Sequence, residues 1–163
     1  MSLLIGGIGA FAAWAGCGGK HHRAAVKKER AFQVGDPGDG WARAKSGGAE
    51  KAWYSAALFA SIYADANCAI RFEDGDLASL TGHLAYGVAD GELIREEVIT
   101  LDGRDALVRA WNGTLDGVKV AVGSVVTKKN DCLYDILFIA PPSNFEQGWV
   151  DFERLIAGFQ VRR

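Results

Sequence analysis

The chain has 163 residues, 49% hydrophobic and 23% charged, including eight Phe, five Trp and four Tyr. That suits one globular domain with short extensions and excludes a disordered chain. The formal net charge of −2 supplies no broad field for nucleic acid and no aromatic–basic alternation appears, so a nucleic-acid partner is not expected.

Residues 1–19 carry no charged side chain, and the core of this leader, "LLIGGIGAFAAWA", has the roughly 7–15-residue length of a signal-peptide core. It falls short of the ~20 residues that span a bilayer, and its Gly residues make it a poor membrane helix. Ala15 and Gly16 stand just before Cys17, which resembles a bacterial lipobox. On that reading residues 1–16 are a signal peptide and Cys17 is the lipid attachment site, S-diacylated and N-acylated. Trp14 occupies a position where lipoboxes usually have an aliphatic residue, and the basic cluster follows the apolar run instead of preceding it. Three other readings therefore stay open: cleavage at Ala10-Phe11-Ala12 or Ala13-Trp14-Ala15 to release a soluble protein, an uncleaved anchor, and a buried thiol at Cys17.

Residues 17–30 carry Lys20, Arg23, Lys27, Lys28 and Arg30 and read as a solvated tether whose cations could lie on anionic head groups. His21 and His22 are adjacent but lack the further ligands that a metal site requires. Residues 31–163 form the globular domain. "VGDPGDGW" (Val34–Trp41) is turn material. Ala52–Cys68 mixes helix-favouring Ala with closely spaced Trp, Tyr, Phe and Ile and reads as two strands.

Asp76 is a good N-cap for a helix whose Leu77, Leu80, Leu84 and Val88 share one face and which Gly87 could close. Asp102-Gly103 and Asp116-Gly117 are tight-turn dipeptides between alternating segments. "EEVITL", "RDALVRAWNGTL", "VKVAVGSVVTKK" and "CLYDILFIA" thus read as a four-stranded antiparallel meander. The third has one bulky face (Val118, Val120, Val122, Val126) and one slighter face (Lys119, Ala121, Gly123, Thr127). The fourth is apolar on both faces apart from Asp135, which predicts a central strand covered on both sides. After Pro141-Pro142, Ser143 and Glu146 have the spacing of a capping box. Phe145, Trp149, Phe152, Ile156 and Phe159 then form a continuous helical stripe, assigned to packing on the sheet.

Taken together, the turn-rich N-terminal strands, the capped helix near Asp76, the meander and the aromatic C-terminal helix ending "FERLIAGFQV" resemble the PsbP-like family over roughly Phe32 to Val161. The resemblance implies an α+β fold, an antiparallel sheet sandwiched between helices. It also implies a bacterial lipoprotein of the cell envelope that binds another envelope protein, and it brings no catalytic motif.

The sequence holds no phosphate-binding loop, no H-E-x-x-H, no G-x-S-x-G and no C-x-x-C, and no cofactor is expected. "FEDGDL" (Phe72–Leu77) clusters acids but lacks EF-hand spacing. His83 reads as a structural histidine, and Asp135 as half of an ion pair with a residue such as Arg109. The expected function is a non-catalytic envelope module, anchored to the membrane by Cys17. The alternatives are a carrier of small apolar ligands, which needs a large cavity between sheet and helix, and a hydrolase with a site around His83 and Asp135. With Cys17 lipidated, Cys68 and Cys132 remain at sheet ends in a chain sent to an oxidising compartment, where a disulfide is expected.

Overall fold

The computed structural model describes residues 32–45, 48–68, 76–82, 84 and 87–162. The leader, Cys17, the tether histidines, most of "FEDGDL" and His83 lie outside the described residues.

The sheet forms where the sequence alternates. The strands are β1 (Phe32–Gln33), β2 (Ala42–Arg43), β3 (Lys51–Ser55), β4 (Ala60–Asn67), β5 (Ala89–Leu101), β6 (Arg104–Leu115), β7 (Val118–Lys129), β8 (Cys132–Ala140) and β9 (Gln160–Val161). Seven make one sheet in the order β2-β3-β4-β8-β7-β6-β5, with every pair antiparallel, and β1 pairs with β9 alongside. Two-residue turns set the meander's register. Asp102-Gly103 and Asp116-Gly117 have positive φ at both positions, as do Asn130 and Asp131, the backbone whose twist matches that of the flanking strands. The last three segments quoted for the meander coincide with β6, β7 and β8, and Ala52–Cys68 covers β4 and all of β3 but Lys51. β5 is much longer than "EEVITL", because its N-terminal half is exposed on both faces and leaves no alternation to read.

One sheet face carries helix α2 (Phe145–Ala157). Phe145, Trp149, Phe152, Ile156 and Phe159 are all buried. Phe138 of β8 stacks on Phe145 and Phe152 with centroids 5.2 and 5.5 Å apart. Two glycines permit this close approach: a Cβ on Gly123 of β7 would lie 2.4 Å from the Trp149 ring, and one on Gly148 of α2 would lie 2.6 Å from Phe138. The slighter face of β7 is therefore the one beneath α2. The capping box does not form. Pro142–Asn144 makes a 3-10 turn that places Asn144 at the N-cap without a side-chain cap bond, and the Asn144 amide donates to the Leu58 carbonyl.

Helix α1 (Leu77–Gly82) lies over β6 and β7 on the opposite face, with Thr81 buried. Asp76 caps it, accepting from the Ser79 N–H at 2.7 Å, and that bond together with the Ser79 hydroxyl holds the Asp76 carboxyl below its ordinary 3.8. The described helix is shorter than its apolar spacing predicts, since Leu84 stands in a 3-10 turn and β5 begins at Ala89. The result is an α/β/α sandwich with β8 at the middle of the sheet. On the α1 face, Leu133, Asp135, Leu137 and Ile139 of β8 are only half-buried, so this strand is fully covered on the α2 side alone.

Candidate functional site

Among the described residues, two of the concavities beside the sheet gather residues of interest. The first opens on the α1 face, where Asp135 of β8 stands directly across from Asp65 of β4. Tyr63, Leu137, Lys45, Gly48 and Ala49 complete a cavity of about 480 Å³. Like charges directly opposite one another weaken a strand pair. Asp65 Oδ1 is out of solvent and makes no hydrogen bond among the described residues. The same holds for the Ser124 hydroxyl, deeper on this face. No group of three or more His, Cys, Asp or Glu able to hold a metal occurs among the described residues. Arg109 is not the partner of Asp135: its Nε–H donates to Glu96 on the adjacent strand at 2.6 Å and its Nη1 to the Ala78 carbonyl of α1. The register explains this, because β7 lies between Arg109 and β8 while Glu96 is directly opposite on β5. The hydrolytic reading needs His83 beside Asp135, and His83 lies outside the described residues.

The second concavity is a groove of about 290 Å³ between the β5 edge and α2. Ile99, Val108, Trp149 and Ile156 form its apolar floor, and Glu97 and Glu153 stand at its rim. One cation ties two of its lining residues, Trp149 and Glu153, to β5. The Arg95 guanidinium lies 4.3 Å over the Trp149 ring and pairs with Glu146 at 3.3 Å and Glu153 at 3.8 Å. The Trp149 indole N–H donates to Glu153 at 2.6 Å. Elsewhere the space between α2 and the sheet is filled by aromatic rings, and a groove this small is at the low end for a ligand pocket. The signal available in the sequence was "GELIREE", whose acids and apolar residues do not sort onto two faces.

Cys68 and Cys132 are disulfide-bonded. They occupy the next rung beyond the Asn67–Leu133 pair of the β4–β8 ladder, so the register of the two strands brings them together. Below them Tyr134 is almost fully enclosed, and burial, aided by the negative charges of Glu50 and Asp102, pushes its phenol above the ordinary 10.0. Among the described residues no helix is long and apolar enough to cross a membrane.

No family model matches the sequence, and no curated relative does. Solved structures do match. LpqN of Mycobacterium tuberculosis, described as involved in cell envelope biogenesis, is 13% identical with a TM-score of 0.58, covering 85% of this chain and 88% of LpqN. Cyanobacterial PsbP (CyanoP) from Synechocystis is 12% identical with a TM-score of 0.55, covering 82% and 94% respectively. PA94 of Pseudomonas aeruginosa, a protein of unknown function, is 12% identical with a TM-score of 0.51. Likeness at such identities concerns fold and leaves function open. With its antiparallel sheet, its two flanking helices and its overlap with cyanobacterial PsbP, this chain has the PsbP-like fold.

Proposed function

We propose that the protein is a cell-envelope module, held to the membrane through lipid on Cys17, that acts by binding another envelope protein and not by catalysis. The observation that carries this reading is the Cys68–Cys132 disulfide, since structural disulfides persist in oxidising, extracytoplasmic compartments. The likeness to LpqN, an envelope-biogenesis protein, agrees with it, as do the small residues that precede Cys17. The binding role is supported by the acidic groove beside β5, an outward-facing concavity whose walls are fixed by ion pairs.

Metabolic labelling with an alkynyl fatty acid in a bacterial host tests the reading. The wild-type chain takes the label and partitions into detergent, and Cys17→Ser loses both properties. Undiminished label in that variant refutes the anchor.

A further inference from the structure

We infer that the outer edge of β5 is a strand-addition site for an extended, basic segment of a partner protein that alternates apolar and cationic side chains. The inference rests on the reading of the chain as a binding module and gives that module a surface and a kind of partner.

The edge itself is the first observation. β5 ends the sheet, and among the described residues no strand pairs with its outer side. Its pairing with β6 is irregular up to Arg95, and then runs in unbroken register from Arg95–Ala110 to Leu101–Arg104. Those seven residues present about 23 Å of unpaired backbone donors and acceptors. Natural edges are protected by charged side chains, prolines, bulges or short length. This one has its bulges before Arg95 and carries mostly acidic charges, but it is long, holds neither Lys nor Pro, and exposes Leu93, Ile94 and Val98, the last at 65%.

The groove is the second. Alternate side chains of a strand added outside β5 would project to the α2 side, where Ile99, Trp149 and Ile156 supply an apolar floor. The intervening side chains would lie beside Val98 and Leu93 on the other face. Main-chain bonds then give affinity, while the groove selects side chains, the usual division of labour in strand addition.

Charge identifies the occupant. Asp90, Glu92, Glu96 and Glu97 lie along β5, with Glu146 and Glu153 above it on α2. Arg95 and Arg109 are engaged in ion pairs with Glu146, Glu153 and Glu96, whereas Glu92 and Glu97 have no cation within salt-bridge distance among the described residues. A two-fold pairing of β5 with a second copy would bring these same acids together, which is unfavourable. A cationic strand meets complementary charge at Glu92 and Glu97, acids that the arginines do not engage.

The test uses the full exported chain in detergent and a fluorescent, end-capped decapeptide alternating lysine and valine. Fluorescence anisotropy should show saturable binding, and hydrogen exchange should slow at β5 amides in preference to those of the other strands. Glu92→Lys with Glu97→Lys, two exposed changes that break no ion pair among the described residues, should weaken binding roughly tenfold or more with near-UV dichroism unchanged. N-methylation of alternate peptide amides should cost roughly as much, because it removes the edge donors.

Equal binding of a glutamate–valine decapeptide, indifference to N-methylation, or protection confined to other strands overturns the inference. A concentration-dependent dimer that shields β5 also overturns it, in favour of a second copy. Tighter peptide binding after Lys20, Arg23, Lys27, Lys28 and Arg30 are replaced by Ser would assign the edge to the chain's own tether. Each of these results is independent of the Cys17 labelling, so failure of the edge and failure of the envelope reading can be told apart.

Discussion

Gly123→Ala is the sharpest probe of how α2 sits on the sheet. Gly123 has ordinary strand backbone, so alanine by itself favours the strand by about 0.5–1 kcal/mol over glycine. The added methyl carbon, however, would lie 2.4 Å from Cζ3 of Trp149 and 3.3 Å from two further ring atoms. The ring cannot easily retreat. Phe145 and Phe152 each lie 5.2 Å from it between centroids, Arg95 covers its outer face, and its N–H is bonded to Glu153. Overpacking of this kind costs about 1–3 kcal/mol, so the net expectation is a loss of about 1–2 kcal/mol. Urea unfolding followed by circular dichroism should show a lower midpoint at unchanged slope, and Tm should fall by roughly 4–8 °C. Combining the change with Trp149→Phe, which trims the clashing ring, should cost less than the two single changes added together. A Gly123→Ala protein as stable as the wild type would show that Trp149 does not rest on this glycine.

Phe152→Ala removes a ring with no exposed surface that is stacked on Phe138, and should destabilise the domain by about 3–5 kcal/mol in the same assay; wild-type stability would refute the packing of α2. Replacing Cys68 and Cys132 together by Ala opens a loop with a sequence separation of 64, an expected loss of around 4 kcal/mol on the chain-entropy model. Free thiols in the unreduced exported protein, found by mass spectrometry, would contradict the bond. The Asp76 cap has a depressed folded pKa, so its contribution is complete above the carboxyl's ordinary 3.8 and is lost as pH falls through the lower folded value. Carbon NMR should therefore place the Asp76 titration midpoint under 3.8, and a midpoint at or above 3.8 would mean that the Ser79 bonds are not formed.

The meander was legible because its turns are chemical signals: Asp-Gly pairs accept positive φ, and the flanking residues alternate. The aromatic stripe from Phe145 to Phe159 was legible for a similar reason, its spacing matching the helical period. Elements without such signals were hidden. β1 and β9 are two residues each, and the half of β5 before "EEVITL" faces solvent on both sides, so neither burial nor periodicity marks them. The Ser143–Glu146 spacing misled because two prolines impose a 3-10 turn before the helix. Asp135 was correctly singled out as unusual, yet its neighbour across the ladder, Asp65, lies 70 residues away in sequence, and no local pattern reveals such a pairing. The groove beside β5 is hidden for the same reason, being assembled from β5, β6 and α2.

The placement of β8 between β4 and β7 has a consequence for the order in which the chain can assemble. The pairs β3–β4, β5–β6, β6–β7 and β7–β8 are hairpins between neighbours in sequence, whereas β4–β8 joins distant parts of the chain. Local hairpins close quickly, and non-local pairings are slow because a long loop must first be ordered. Whenever the polypeptide is delivered amino end first, the β3–β4 hairpin stands with the inner edge of β4 uncovered until β8 arrives. During that interval Ile62, Ala64 and Ala66, enclosed in the finished protein, are open to wrong partners. A Cys68–Cys132 bond, once formed, holds β4 and β8 together at that end of the ladder, so in an oxidising compartment it would shorten this interval as well as add stability.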